Sequence, residues 1–255
     1  MQYANNGSLL SYLDQHITKL TWKDKLKHLG RIASNLNHVH GAGLVHCDLH
    51  GGNIVLHDNM HKIELFICDL GLSQSVNSQS VSTIQSVLSF IAPEVFHTRK
   101  FTQKSDVYSF GIIMYLMATG ETPFRDKQFN GNLAYDIMNG LRPLMPDSAP
   151  EEYKKLADRC CDADPDKRPD DGYRLRHEIR KLNIDGEVAD DNTWNTIYHN
   201  EVKPLSCLAE SKHSIMLLPT SDLPEPRNSH GLLLSSLFSI IRFLLAKFRG
   251  LIDRN

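Results

Sequence analysis

The run His46-Cys47-Asp48-Leu49-His50-Gly51-Gly52-Asn53 is the densest cluster of chemically capable side chains in this 255-residue chain. Asp48 is a carboxylate that can accept a proton from an attacking hydroxyl and orient it. Asn53, five residues on, and Asp69, beyond an apolar stretch, offer oxygen ligands of the kind Mg²⁺ prefers and can converge on a cation from two sides. Neither is sufficient alone, because Mg²⁺ keeps only one or two protein carboxylates beside water and phosphate oxygens. A base with paired oxygen ligands is the equipment of phosphoryl transfer to a hydroxyl. Each residue taken singly has a plainer use: Asp48 and Asn53 as turn caps, Asp69 as the end of a strand.

Helices must carry these residues. Trp22, Leu26, Leu29, Ala33, Leu36 and His40 recur in four- and three-residue steps, which predicts an amphipathic helix over 21–40. Thr21 is its candidate N-cap, with Asp24 three residues on, and Gly41 and Gly43 end it. A shorter helix is expected from Ser8 to His16. The apolar runs Ile54-Val55-Leu56 and Ile63 to Cys68 have strand length and flank a polar turn at His57 to His61, which reads as a small hairpin. Ser105–Thr119 is apolar on nearly all faces, so it belongs in the middle of a helical domain, and it is too short to cross a membrane. Further helices are expected at Leu133–Asn139, Pro150–Asp162 and Asp171–Leu182. The fold class is therefore mainly α, with a small β component (α+β).

Composition narrows the partners. The chain is 41% apolar and 23% charged, with 28 basic against 30 acidic residues, so no global positive field exists to gather nucleic acid. Its five cysteines are odd in number and form no C-x-x-C pair, and Met1 opens no hydrophobic signal segment. An intracellular, cytoplasmic setting without a zinc module is the expectation. Residues 183–230 are polar and dotted with Pro204, Pro219, Pro224 and Pro226, the composition of a linker. Residues 231–255 are expected to form an amphipathic helix in which Ser235, Ser239, Arg242, Ala246 and Arg249 make a narrow polar stripe. Arg242 near its centre would cost about 2.5–3.5 kcal/mol on insertion. For 232–252, contact with a membrane surface, docking on protein and a tail anchor stay open, the first implying peripheral membrane association.

Adding Asp69-Leu70-Gly71, Ala92-Pro93-Glu94, Asp106 in SDVYSFG and Arg168 in DPDKRP, the chain resembles the eukaryotic protein kinases over residues 1–182. The match is to the H-R-D-x-x-x-x-N, D-F-G and A-P-E motifs in the family's order. Its flavour is most similar to tyrosine-kinase-like serine/threonine kinases. The resemblance implies a kinase-like fold, ATP and Mg²⁺ as cofactors and a protein Ser/Thr substrate. It implies Asp48 as catalytic base, Asn53 and Asp69 as metal ligands, and Val55 as the apolar floor under adenine. His46 is expected beneath Leu70, with Gly71 completing that triplet. Glu94 is expected to pair with Arg168, and Asp106 to hold backbone N–H groups of the catalytic loop.

Four departures from the family stand out. Cys47 replaces the Arg that grips a phosphate on the activation loop, and Gly71–Glu94 holds eight Ser/Thr but no Lys or Arg. His50 stands where a Lys usually contacts the transferred phosphate, and a histidine there is a weaker, pH-dependent donor. Leu70 for Phe is a tolerable apolar exchange. Largest of all, the Gly-rich loop, the strand Lys and the helix Glu have no counterpart in the 255 residues, and Met1 to Leu9 resembles the hinge between lobes. The expectation is a C-terminal lobe without its N-terminal lobe, belonging to a longer protein or completed by a partner. The alternative is a pseudokinase-like scaffold that binds partners through this lobe and the C-terminal helix.

Overall fold

The computed structural model describes residues 7–58, 63–76, 87–128 and 130–182. Helix α1 (Leu9–His16) starts where the Ser8 hydroxyl accepts the Ser11 N–H. Helix α2 (Trp22–Gly41) opens with a reciprocal cap. The Thr21 hydroxyl accepts the Asp24 N–H at 3.2 Å, and the Asp24 carboxylate accepts the Thr21 N–H at 3.1 Å. Two of the N–H groups that every helix start leaves unpaired are thereby satisfied. Gly43, at φ +71°, then turns the chain into strand β1 (Leu44–Val45).

Strands β2 (Ile54–Asp58) and β3 (Ile63–Ile67) form the hairpin, antiparallel with Ile54 opposite Ile67 and Val55 opposite Phe66. Strand β4 (Gln74–Ser75) returns to pair with β1. Helices α3 (Pro93–Thr98), α4 (Gln103–Thr119), α5 (Gly131–Met138), α6 (Glu151–Cys160) and α7 (Gly172–Lys181) complete the described part. Helix α4 starts two residues before the predicted Ser105 because Thr102 and Ser105 cap each other's backbone. Helix α3 has only six residues, too few to show a period, and was not expected from the pattern.

Thirteen of the seventeen residues of α4 are buried, so this helix is the axis on which the others pack. Gly111 lets α6 approach it: a Cβ there would lie 2.5 Å from Cys161 Sγ. Tyr153 of α6 donates its hydroxyl to the Met114 carbonyl at 2.6 Å. Helix α7 lies against α2 through Gly172, where a Cβ would meet the Asn37 backbone nitrogen at 2.4 Å. Cys47, Cys68, Cys160 and Cys161 are free thiols. Among the described residues no helix is long and apolar enough to cross a membrane. The expected linker over 183–230 and amphipathic helix over 231–255 lie outside the described residues.

Candidate active site

The loop between β1 and β2 is shaped from a distance. Asp106, in the first turn of α4, is buried, and its carboxylate accepts the backbone N–H of His46 at 2.7 Å and of Cys47 at 3.1 Å. Its Oδ2 also lies 3.0 Å from His40 Nε2. His40 Nδ1 accepts the Gly172 N–H at the start of α7, which leaves Nε2 as the donor to Asp106. One imidazole thus ties α2, α4 and α7 to the loop. Sequence reading assigned His40 only to the apolar stripe of its helix, and its position as the stripe's one polar member is the signal that marks it. Cys47 adopts the left-handed backbone, φ +71°, which costs a residue with a Cβ roughly 1–2 kcal/mol. The two Asp106 bonds hold it there.

His46 is fully buried. Its Nδ1 accepts the Asp48 N–H at 3.3 Å, so the proton sits on Nε2, 3.1 Å from the Cys68 carbonyl. Both ring nitrogens are committed to backbone groups on the two sides of the site. Asn53 donates its amide to the Asp48 carbonyl at 2.9 Å and to Asp48 Oδ2 at 3.0 Å. Asp48 Oδ1 is buried and has no hydrogen-bond partner. Asn53 in turn accepts the Cys68 N–H on its backbone carbonyl at 2.9 Å, which puts Asp69 one residue from this link. Asp69 is exposed, has φ +60°, and accepts the Gly71 N–H at 3.4 Å. Leu70, half-buried, follows in a single helical turn. Val55 is half-buried on β2 and bridges to Ser8, beside which Gly7 accepts the Leu56 N–H.

His50 stands beside Asp48. Its Nδ1 accepts the Gly52 N–H at 3.0 Å, and its Nε2 lies 3.6 Å from Asp48 Oδ2. Because Gly52 occupies Nδ1, the neutral ring carries its proton on Nε2. In that tautomer the N–H is on the nitrogen nearer Asp48, at a distance beyond a hydrogen bond.

The family model "Protein tyrosine and serine/threonine kinase" matches residues 1–173. The chain belongs to the protein kinase family. A serine/threonine-protein kinase/receptor of Acanthamoeba polyphaga mimivirus is 34% identical over 170 residues, 66% of this chain and 10% of that protein. The RGS domain-containing serine/threonine-protein kinase A of Dictyostelium discoideum is 30% identical over 168 residues, 66% of this chain and 15% of that protein. The chain thus spans between 10% and 15% of the length of these relatives.

The kinase fold is braced below the site by Arg168. Its Nη1 and Nη2 each donate to a different Glu94 oxygen at 2.7 Å, and its Nε donates to the Asp162 carbonyl at 2.8 Å. The guanidinium also lies 5.2 Å from the Tyr108 ring centroid. This fork-to-fork pair fastens α3, which carries Glu94, to the turn before α7. Two thiols lie in this region, Cys47 buried and Cys68 half-buried. Burial, with the Asp106 charge beside it, pushes the Cys47 thiol up to about 12, and burial, with Asp69 adding to it, pushes Cys68 up to about 11. Both shifts disfavour the free thiolate at neutral pH.

Proposed function

We propose that this kinase domain transfers the γ-phosphate of ATP to serine or threonine hydroxyls of proteins, with Asp48 as the base. The observation that carries the reading is the clamp on the Asp48 carboxylate: the Asn53 amide donates to its Oδ2 at 3.0 Å and to the Asp48 carbonyl at 2.9 Å, which orients a partly exposed carboxylate within the loop that carries Asn53. A carboxylate held in one orientation can accept the proton of a substrate hydroxyl. The serine/threonine choice draws on the names of the relatives.

The residues present fit Mg²⁺ with a nucleotide. Asn53 spends its NH₂ on Asp48, so its side-chain carbonyl oxygen is the atom free in role to meet a cation. Asp69 is exposed and linked to Asn53 through Cys68. Among the described residues no three His, Cys, Asp or Glu side chains gather into a metal cage. An amide oxygen and one carboxylate suit an ion that keeps phosphate and water oxygens in its shell. When bound, Mg²⁺ would neutralise charge on the phosphates. Val55 would lie beneath the adenine, and Asp48 would hold the hydroxyl in line and take its proton.

The test is Mg·ATP titration and phosphotransfer on the chain, alone and supplemented with a kinase N-terminal lobe. Transfer that falls by roughly 10²–10⁴-fold in Asp48→Asn is the expected result. Transfer absent in both settings would overturn the reading. So would activity that survives both Asp48→Asn and Asp69→Ala. The scaffold reading draws on Cys47 in place of the phosphate-gripping Arg, and it gains if cellular effects persist in both variants.

A further inference from the structure

We propose that the paired helices α2 and α7 present a basic face on which the acidic stretch 185–191 of the same chain docks. The inference is independent of the phosphotransfer reading and needs no turnover to test.

Positive charge is concentrated on these two helices. Each carries four Lys or Arg and one acidic residue, in a chain whose 28 basic residues are outnumbered by 30 acidic ones. Both acids are already engaged: Asp24 caps Thr21, and Glu178 meets Arg159 of α6 at 3.0 Å. Lys25 is engaged as well, buried with its Nζ donating to the Ala118 carbonyl at 3.0 Å.

The remaining charge gathers on one side. Asn35, whose amide donates to the Leu65 carbonyl at 2.9 Å, marks the hairpin side of α2, and Asn37, against Gly172, marks the α7 side. A helix turns by about 100° per residue, which puts Lys23 and Lys27 on the outer stripe between those two sides. On α7, Gly172, Leu175 and Ile179 are buried while Glu178 reaches α6, so Arg176 and Arg180 take the flank away from α6 and border the same stripe.

The direction of α7 brings the acidic stretch to this face. Only four residues of α2 follow Asn37, so α7, packed along α2, runs back toward Trp22 and ends near Lys23 and Lys27. Residues 183–200 then hold Asp185, Glu187, Asp190 and Asp191 but no Lys or Arg. Asp191 is nine residues from Leu182, a reach of up to about 30 Å, whereas Lys23 and Lys27 are separated by about 6 Å of helix. Because the tether is covalent, the encounter has an effective concentration on the order of millimolar, and pairs too weak to retain a separate peptide become populated. Docking across both helices would also hold the start of α7, where the Gly172 N–H meets His40 and, through it, Asp106.

Treating the full-length chain with a water-soluble carbodiimide, which joins a carboxylate to an amine in contact with it, tests the docking directly. The Lys104–Asp170 pair at 2.7 Å is the internal control. Peptide mass spectrometry of the monomer is expected to find Lys23 or Lys27 joined to residues 185–191, with the yield falling roughly threefold or more at about 1 M NaCl. No such link while the control forms, or a yield indifferent to salt, overturns the proposal. So does a link found only between ¹⁴N and ¹⁵N chains of a mixture, which assigns the face to a second copy, or a link only to acids beyond 191. In Asp190→Asn combined with Asp191→Asn, the amides of α7 are expected to exchange severalfold faster, and adding Lys27→Glu should then change nothing further. Unaltered exchange in the first variant overturns the docking.

Discussion

Arg168 shows how much one side chain can hold. Its side chain is fully buried, and it meets Glu94 with two parallel bonds at 2.7 Å while two further carbonyls accept from it. Truncating one partner of a buried pair strands the other's charge. Arg168→Ala is therefore expected to lose about 3–5 kcal/mol in a urea titration, and Glu94→Gln less, since the amide still accepts one bond. Asp106→Ala is expected to be comparably severe, because it leaves the buried N–H groups of His46 and Cys47 without acceptors. A drop of under 1 kcal/mol in either alanine variant would contradict these assignments.

At the scale of elements, two features of α2 make opposite kinds of prediction. Its N-terminal cap is exposed and local, so Thr21→Ala is expected to cost about 1 kcal/mol. Its contact with α7 tolerates no side chain at Gly172, where the obstacle is Asn37 backbone and cannot rotate away. Gly172→Ala is expected to exceed the cap's cost, in the range of roughly 1–3 kcal/mol or more, and to loosen the His40 bond to the Gly172 N–H. Protection of the Gly172 amide from hydrogen exchange checks it. These two features also mark what the sequence could reveal. Thr21 and Asp24 announce the helix start because capping acts within four residues, and the β2–β3 hairpin announced itself because its strands are apolar and its turn polar. The six residues of α3 carry no such period. Nor could spacing show that His40 bonds a residue 132 positions away, or that Gly52 would choose the tautomer of His50. The motif residues were legible as a set; the roles of their individual atoms needed the fold.

For the molecule as a whole, acid is the informative perturbation. Burial, with the Arg31 charge adding to it, holds His28 down to about 4 from an ordinary 6.5. Between those values the unfolded chain binds a proton at this ring that the folded chain refuses. Stability is thus expected to be full above pH 6.5, to fall as pH drops toward 4 and to level below, by up to about 3 kcal/mol. Urea midpoints at pH 7 and pH 4.5 would show it, and His28→Leu should flatten the difference. An equal acid loss in that variant would move the cause elsewhere.

The Asp106–His40 network has a consequence in time. The bonds that shape the loop around Asp48 join positions 59, 60, 66 and 132 residues apart. Contacts so distant along the chain form only after long loops have closed, whereas α2 can gather its turns locally. On refolding, the amides of His46 and Cys47 should gain protection later than those of α2, as pulse-labelled exchange would record. A nascent chain released before residue 172 would then carry every motif of the site and not yet its geometry.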